Sequence, residues 1–233
     1  MFSWLSEFFS SNKIPSVSFF DFHHKMVQWK SSKLYPYPSN LPEAISFPPD
    51  FWKDVINIHK LTLGDGKERA ISVFWADGEL IVTSVVKGDE SSVTTNENLS
   101  VRYIPHPVKQ GYYRKEVILN GGVMKQMDIY YKNAPKSISV EYLFNMHTHP
   151  KYVDSSGLNS FSYFSLQDIK SLIGSGAIMT GLVTDKLHIL VRTADTPTIL
   201  PLTSDVEVTV ENLKEKMKLG VYVAEYNKMA VRQ

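Results

Sequence analysis

Residues 140–150 read as a strand that is forced to stop, and two histidines stand at the stopping end. Val140, Tyr142, Phe144 and Met146 alternate with Glu141, Leu143, Asn145, His147 and His149. Side chains two apart on a strand share a face. The first set is therefore expected on the core, and the second, more polar set on the other face. Pro150 ends the strand because it has no N–H for a ladder. His147 and His149 then sit side by side, a usable bite for one metal ion. Downstream, Ser165-Leu166-Gln167-Asp168 opens a helix with Ile169, Leu172 and Ile173 on one face and Gly174 and Gly176 at its end. Ser-x-x-Asp is a capping box. It also brings a carboxylate to the first turn, where Asp168 becomes a third candidate ligand. Three protein ligands and one water make a catalytic rather than a structural zinc site. His-x-His alone is weak evidence, and so is a capping box; His-x-His-Pro at a strand end followed by Ser-x-x-Asp at a helix start is specific.

Composition narrows the chemistry. There is no cysteine, which excludes disulfides, thiolate zinc sites and cysteine catalysis. Any metal has to be held by His, Asp and Glu. The formal net charge is +1 and the basic residues form no run, so nothing points to nucleic acid. No apolar stretch approaches the roughly 20 residues of a transmembrane segment. Met1–Phe9 is aromatic but lacks the basic and long apolar regions of a signal peptide. It is read as a helix packed on its own domain, and a cytoplasmic location is expected.

The organisation along the chain is expected as follows. Residues 1–44 form an N-terminal extension and Pro-rich linker, with Ser31–Pro42 extended by its prolines. Residues 45–200 form one α/β (α+β) domain, a mixed β-sheet flanked by helices. Pro48-Pro49-Asp50 opens a helix with Phe51, Trp52, Val55, Ile56 and His59 at helical spacing, ended by Gly64 and Gly66. Strands are expected at 70–75 and 79–86 around the turn Asp77-Gly78. Others are expected near 101–104, 116–119 and 127–131, then at 177–184 and 187–191. Residues 201–233 are expected to hold a C-terminal helix from Thr209 to Met229, with Val210, Leu213, Met217 and Val221 on one face. His23, His24, His59, His106 and His188 are read as structural or surface residues. Phe161, Tyr163 and Phe164 are read as packing.

His147-Thr148-His149-Pro150 followed by Ser165-Leu166-Gln167-Asp168 resembles the JAB/MPN metalloprotease motif, also called JAMM: Glu, then His-x-His-Pro, then Ser-x-x-Asp. Glu68, opening the strand after the first helix of the domain, stands where that family has its glutamate. The resemblance covers about residues 45–195. It implies a JAB/MPN-like fold, similar to that of the cytidine deaminases. It also implies Zn²⁺ held by His147, His149 and Asp168, with Glu68 as general base and Ser165 as hydrogen-bond donor to the oxyanion. Asn145 would stand behind the ligands. The implied activity is hydrolysis of a peptide or isopeptide bond in a protein or peptide substrate, often a ubiquitin or ubiquitin-like conjugate. Two departures stand against the pattern. Residues 150–167 separate His149 from Asp168, longer than is usual in the family, which leaves Asp154 as a competing ligand. Ile71 replaces a glycine common after the glutamate, which leaves Glu79 and Glu141 as alternative bases. A non-catalytic MPN scaffold that binds a protein partner is the rival reading. A zinc deaminase is set aside because those enzymes use thiolate ligands.

Overall fold

The computed structural model describes residues 14–94, 98–130, 138–150 and 163–233. In chain order the first half holds β1 (Ser16–Ser18), α1 (Phe19–Ser32), β2 (Ala44–Ser46), α2 (Pro49–Asp65), β3 (Arg69–Ala76), β4 (Glu79–Val82), β5 (Val86–Lys87), β6 (Leu99–Pro105), β7 (Tyr112–Leu119) and β8 (Gly122–Tyr130). Then follow β9 (Val140–Thr148), α3 (Leu166–Gly174), β10 (Met179–Val183), β11 (Leu187–Val191), α4 (Val210–Glu215), β12 (Gly220–Ala224) and β13 (Ala230–Arg232).

Local chemistry explains most of these boundaries. Pro49 occupies the first turn of α2, where a missing N–H costs nothing. Gly66 ends the helix at φ 70°, a left-handed cap that a residue without Cβ adopts freely. Asp77 and Gly78 both have positive φ, as a two-residue hairpin turn requires. The expected strand 79–86 is interrupted: β4 and β5 both pair with β3, separated by Thr83, whose hydroxyl accepts the Ser72 N–H.

The fold is mixed α+β. One mixed sheet runs β1-β2-β13-β12-β11-β10-β9-β3-β4, with β5 also on β3. The β1–β2 and β9–β10 pairs are parallel and the others antiparallel. A separate antiparallel sheet, β6-β7-β8, lies beyond β3 and β4. Phe19, Phe22 and Met26 of α1 and Trp52, Val55 and Ile58 of α2 pack on one face of the large sheet with Ile71, Phe144, Met146 and Tyr222. Ile169 and Leu172 of α3 and Leu213 of α4 pack on the other face with Leu182, Leu190 and Val221. Phe74, Ile81, Leu99 and Val117 join the two sheets. Among the described residues no helix is long and apolar enough to cross a membrane.

Two expectations need correction. The C-terminal helix ends at Glu215, and β12 and β13 follow. Lys218 at φ 53° turns the chain out of the helix, and the β-branched Val221 and Val223 pair along β11 instead. Val210, Leu213, Met217 and Val221 do lie in one core cluster, so their burial was legible although their shared helix was not. The segment Ser31–Pro42 is not simply extended. Ser31 and Ser32 complete α1, and Pro38–Asn40 forms a helical turn. Main-chain carbonyls of Pro36 and Pro38 accept hydrogen bonds from Ala194 N and Arg232 Nη1, fastening this segment to the sheet. The N-terminal stretch Met1–Phe9 lies outside the described residues.

Candidate metal centre

β9 is the floor of the site, and its face assignment turns on one irregularity. Phe74 pairs with Tyr142 but Val73 pairs with Phe144, so Leu143 is an extra residue, a β-bulge. A bulge reverses the alternation of the strand on its far side. Leu143 therefore joins Phe144 and Met146 in the core beside α1 and α2. Tyr142, expected with the core set, instead lines the same cleft as Asn145, His147 and His149. Glu141 is carried away from the site. It pairs with Trp75, whose ring lies tilted 4.6 Å from that of His23 on α1.

α3 supplies the opposite wall. Ser165 caps it with a full capping box: Asp168 N donates to Ser165 Oγ (3.2 Å), and Ser165 N donates to Asp168 Oδ2 (2.7 Å). The Ser165 hydroxyl also donates to Asp168 Oδ2, at 2.8 Å. With Oδ2 held by these two donors, Oδ1 faces His147 Nε2 at 3.1 Å. His149 Nε2 lies 3.6 Å from Asp168 Oδ2. One ligand atom from each of His147, His149 and Asp168 falls within 4.8 Å of the others. The long span after His149 therefore does not keep Asp168 from the histidines. Asp154 and Phe161 lie outside the described residues.

Glu68 approaches from the start of β3. It is buried, and Oε1 lies 3.9 Å from His149 Nε2. Its main chain is held on both sides: Glu68 N donates to Asp89 O (2.7 Å) and Gly88 N donates to Glu68 O (2.9 Å). The buried Arg69 guanidinium donates to Glu68 O and Lys67 O and pairs with Asp65. Glu79, the other alternative base, is taken up by the Lys115 ammonium 2.7 Å away, at the junction of the two sheets. Glu68, Asp168 and the two histidines open into one cleft of about 850 Å³, walled by Ser91, Ser92 and Asn98 on one side and Ser165, Gln167 and Ser171 on the other.

The electrostatics follow from burial and proximity. Burial pushes the Glu68 carboxyl up to about 7; the neighbouring His147 opposes this and Asp168 adds to it. Burial alone would lower His147, but the Asp168 carboxylate and then Glu68 outweigh it, so the imidazole is held above its ordinary value. Burial likewise works against charge on Asp168. The two histidines and the Ser165 N–H prevail and hold it well below the usual carboxylate range.

These residues fit a metal ion. Two imidazoles and a carboxylate are a donor set suited to zinc. His147 Nε2 is buried and, despite its 3.1 Å approach to Asp168, makes no aligned hydrogen bond. A cation between the three groups would satisfy it.

The structure brings all five singled-out residues, Glu68, His147, His149, Ser165 and Asp168, into one cleft. Ser165 differs in one respect: its hydroxyl proton is engaged by Asp168, so here it positions that carboxylate. Asn145 lines the cleft and accepts a hydrogen bond from Thr180 Oγ1 at 2.9 Å. The other histidines lie elsewhere. His59 meets the Tyr226 hydroxyl, His106 pairs with Asp128, and the His188 ring stands against Tyr163. Phe164 is buried beside His147, 6.3 Å between rings. Sequence reasoning missed Tyr142, hidden by the bulge, and the polar wall of Ser91, Ser92 and Asn98, which carry no motif. Set against family models, curated proteins and solved structures, the chain matches none of them.

Proposed function

We propose that this chain is a zinc-dependent metallopeptidase of the JAB/MPN type that hydrolyses a peptide or isopeptide bond in a protein substrate. One observation carries the reading: His147, His149 and Asp168 converge within 4.8 Å, with the buried Glu68 beside them in the same cleft. The resemblance of the motif adds the substrate class, a ubiquitin or ubiquitin-like conjugate.

Zinc, when bound, supplies Lewis acidity and a water whose pKa falls towards about 7. The chain's own groups do the rest. His147, His149 and Asp168 would hold the ion, and all three line the cleft. Glu68, buried beside the ligand set, would accept the proton of the attacking water and pass it to the leaving amine. Ser165 holds Asp168 in place; an oxyanion contact from the same hydroxyl requires it to exchange Asp168 for the substrate. The cleft walls, rich in serine and asparagine, offer hydrogen bonds to an extended main chain.

The test has two parts. Purified protein should bind one equivalent of zinc, and the zinc-loaded protein should cleave a ubiquitin–lysine isopeptide or a linear ubiquitin-fusion probe, with Glu68→Gln inactive. Protein that binds no zinc at neutral pH, or a Glu68→Gln variant with full activity, refutes the reading. Zinc binding with no cleavage of either probe points to the scaffold rival.

A further inference from the structure

We infer that Thr148, the residue between the two histidines, is a positioning residue that sets the spacing between Glu68 and the metal ligands; the inference rests on the metal reading above. Thr148 points away from His147 and His149, into the interior, and is fully buried. The paired residues of β3 and β9 run as far as Ala70 and His147 and stop there. One residue further, a side chain takes over the ladder. Arg69 N donates to Thr148 Oγ1 at 2.8 Å. The same oxygen lies 2.6 Å from Thr62 Oγ1, on the buried face of α2. It also lies 3.4 Å from Arg69 O.

This single hydroxyl therefore ties three elements: β9, which carries His147 and runs into His149, the start of β3, which follows Glu68, and α2. It acts where the ladder has ended, and Glu68 and His149 are the next residues along their chains. At this level of the sheet it supplies a hydrogen bond between the chain entering β3 and the end of β9. Thr62, Thr148 and Arg69 are all buried, so removing one hydroxyl leaves the Arg69 N–H or the other hydroxyl short of a buried partner. Either hydroxyl can be the donor between the threonines, so the set tolerates only a partner that keeps an oxygen at position 148.

The test uses Thr148→Val, which keeps the shape and removes the oxygen, and Thr148→Ser, which keeps the oxygen. Co²⁺ is the probe, read by its visible absorption in the full-length protein. Groups behind metal ligands typically change affinity by about 10–100-fold. Thr148→Val is expected to bind Co²⁺ at least about tenfold more weakly, with an altered spectrum, and Thr148→Ser to restore both. Tyr222→Phe serves as a control. It removes a buried hydrogen bond to Pro42 O (2.7 Å) on a distant part of the sheet. It should lower the melting temperature while leaving Co²⁺ affinity unchanged. Hydrogen exchange at the Arg69 amide needs no metal: it should accelerate in Thr148→Val and stay slow in Thr148→Ser. Unchanged Co²⁺ affinity and spectrum in Thr148→Val overturn the inference, as does a protected Arg69 amide in that variant. Wild-type protein that takes up no Co²⁺ overturns the metal reading itself, and with it the positioning role.

Discussion

Removing the charge of Glu68 should make the metal-free protein more stable, and by an amount that depends on pH. The side chain is 5% exposed, and burial raises its carboxyl from an ordinary 4.5 to about 7. Below 4.5 it is neutral in both the folded and the unfolded chain, and the two states bind protons alike. Between 4.5 and about 7 the folded chain keeps a proton that the unfolded chain has released. Stability falls with rising pH wherever the folded state binds more protons. Above 7 the carboxylate is charged in both states, and the full cost of burying it is present. At about 1.4 kcal/mol for each tenfold difference in proton affinity, the gap between 4.5 and about 7 is worth about 3 kcal/mol. Glu68→Gln keeps the shape and cannot ionise. After exhaustive chelation, urea unfolding should show the variant about 3 kcal/mol more stable than wild type at pH 8. The two should nearly coincide at pH 4.5. Excess zinc should shrink the difference at pH 8, because a cation beside the carboxylate favours its charged form. A difference that is the same at both pH values, or a Gln variant less stable at pH 8, refutes the reasoning.

Three other outcomes follow from the geometry. His147→Ala and Asp168→Asn each leave two of three ligands, and zinc bound per chain, measured by elemental analysis after gel filtration, should fall from near one to near zero. Leu143→Ala empties a fully buried position at the bulge; denaturant unfolding should show a loss of about 2–4 kcal/mol, and a loss below 1 kcal/mol would mean that the bulge is not anchored there. Lys115→Met leaves Asp77 and Glu79 facing each other across the sheet junction without their shared ammonium. Both carboxylates are partly exposed, so the expected cost, read by urea unfolding at pH 7, is about 1–2 kcal/mol.

The site was legible in the sequence because its parts are local patterns. His147 and His149 share a face by the period of a strand, and Ser165 places Asp168 by the geometry of a helix cap. Neither needs knowledge of the rest of the chain. Glu68 came through resemblance, and the fold supplies the physical grounds: two strands pair in the one register that brings it 3.9 Å from His149. Tyr142 was misassigned because alternation was extended through Leu143. A bulge is created by the pairing of two strands, and nothing in Val140–Thr148 alone marks it. The C-terminal helix was overextended for a related reason. The spacing of Val210, Leu213, Met217 and Val221 fits a helix, yet the last of them found a hydrogen-bonding edge on β11.

What the sequence determined by itself, then, is the inventory: no thiol, a histidine pair on one strand face, a carboxylate at a helix start, and the turns at Gly66 and Asp77-Gly78. Each follows from the covalent properties of a few neighbouring residues. What only the tertiary structure decided is the distances among them and the proton affinities those distances create. Glu68 sits near 7 because the packed sheet removes water from it, and Thr148 reaches Arg69 and Thr62 because β3 and α2 are brought to it. Desolvation and long-range hydrogen bonds are properties of groups far apart in sequence, so no local pattern carries them.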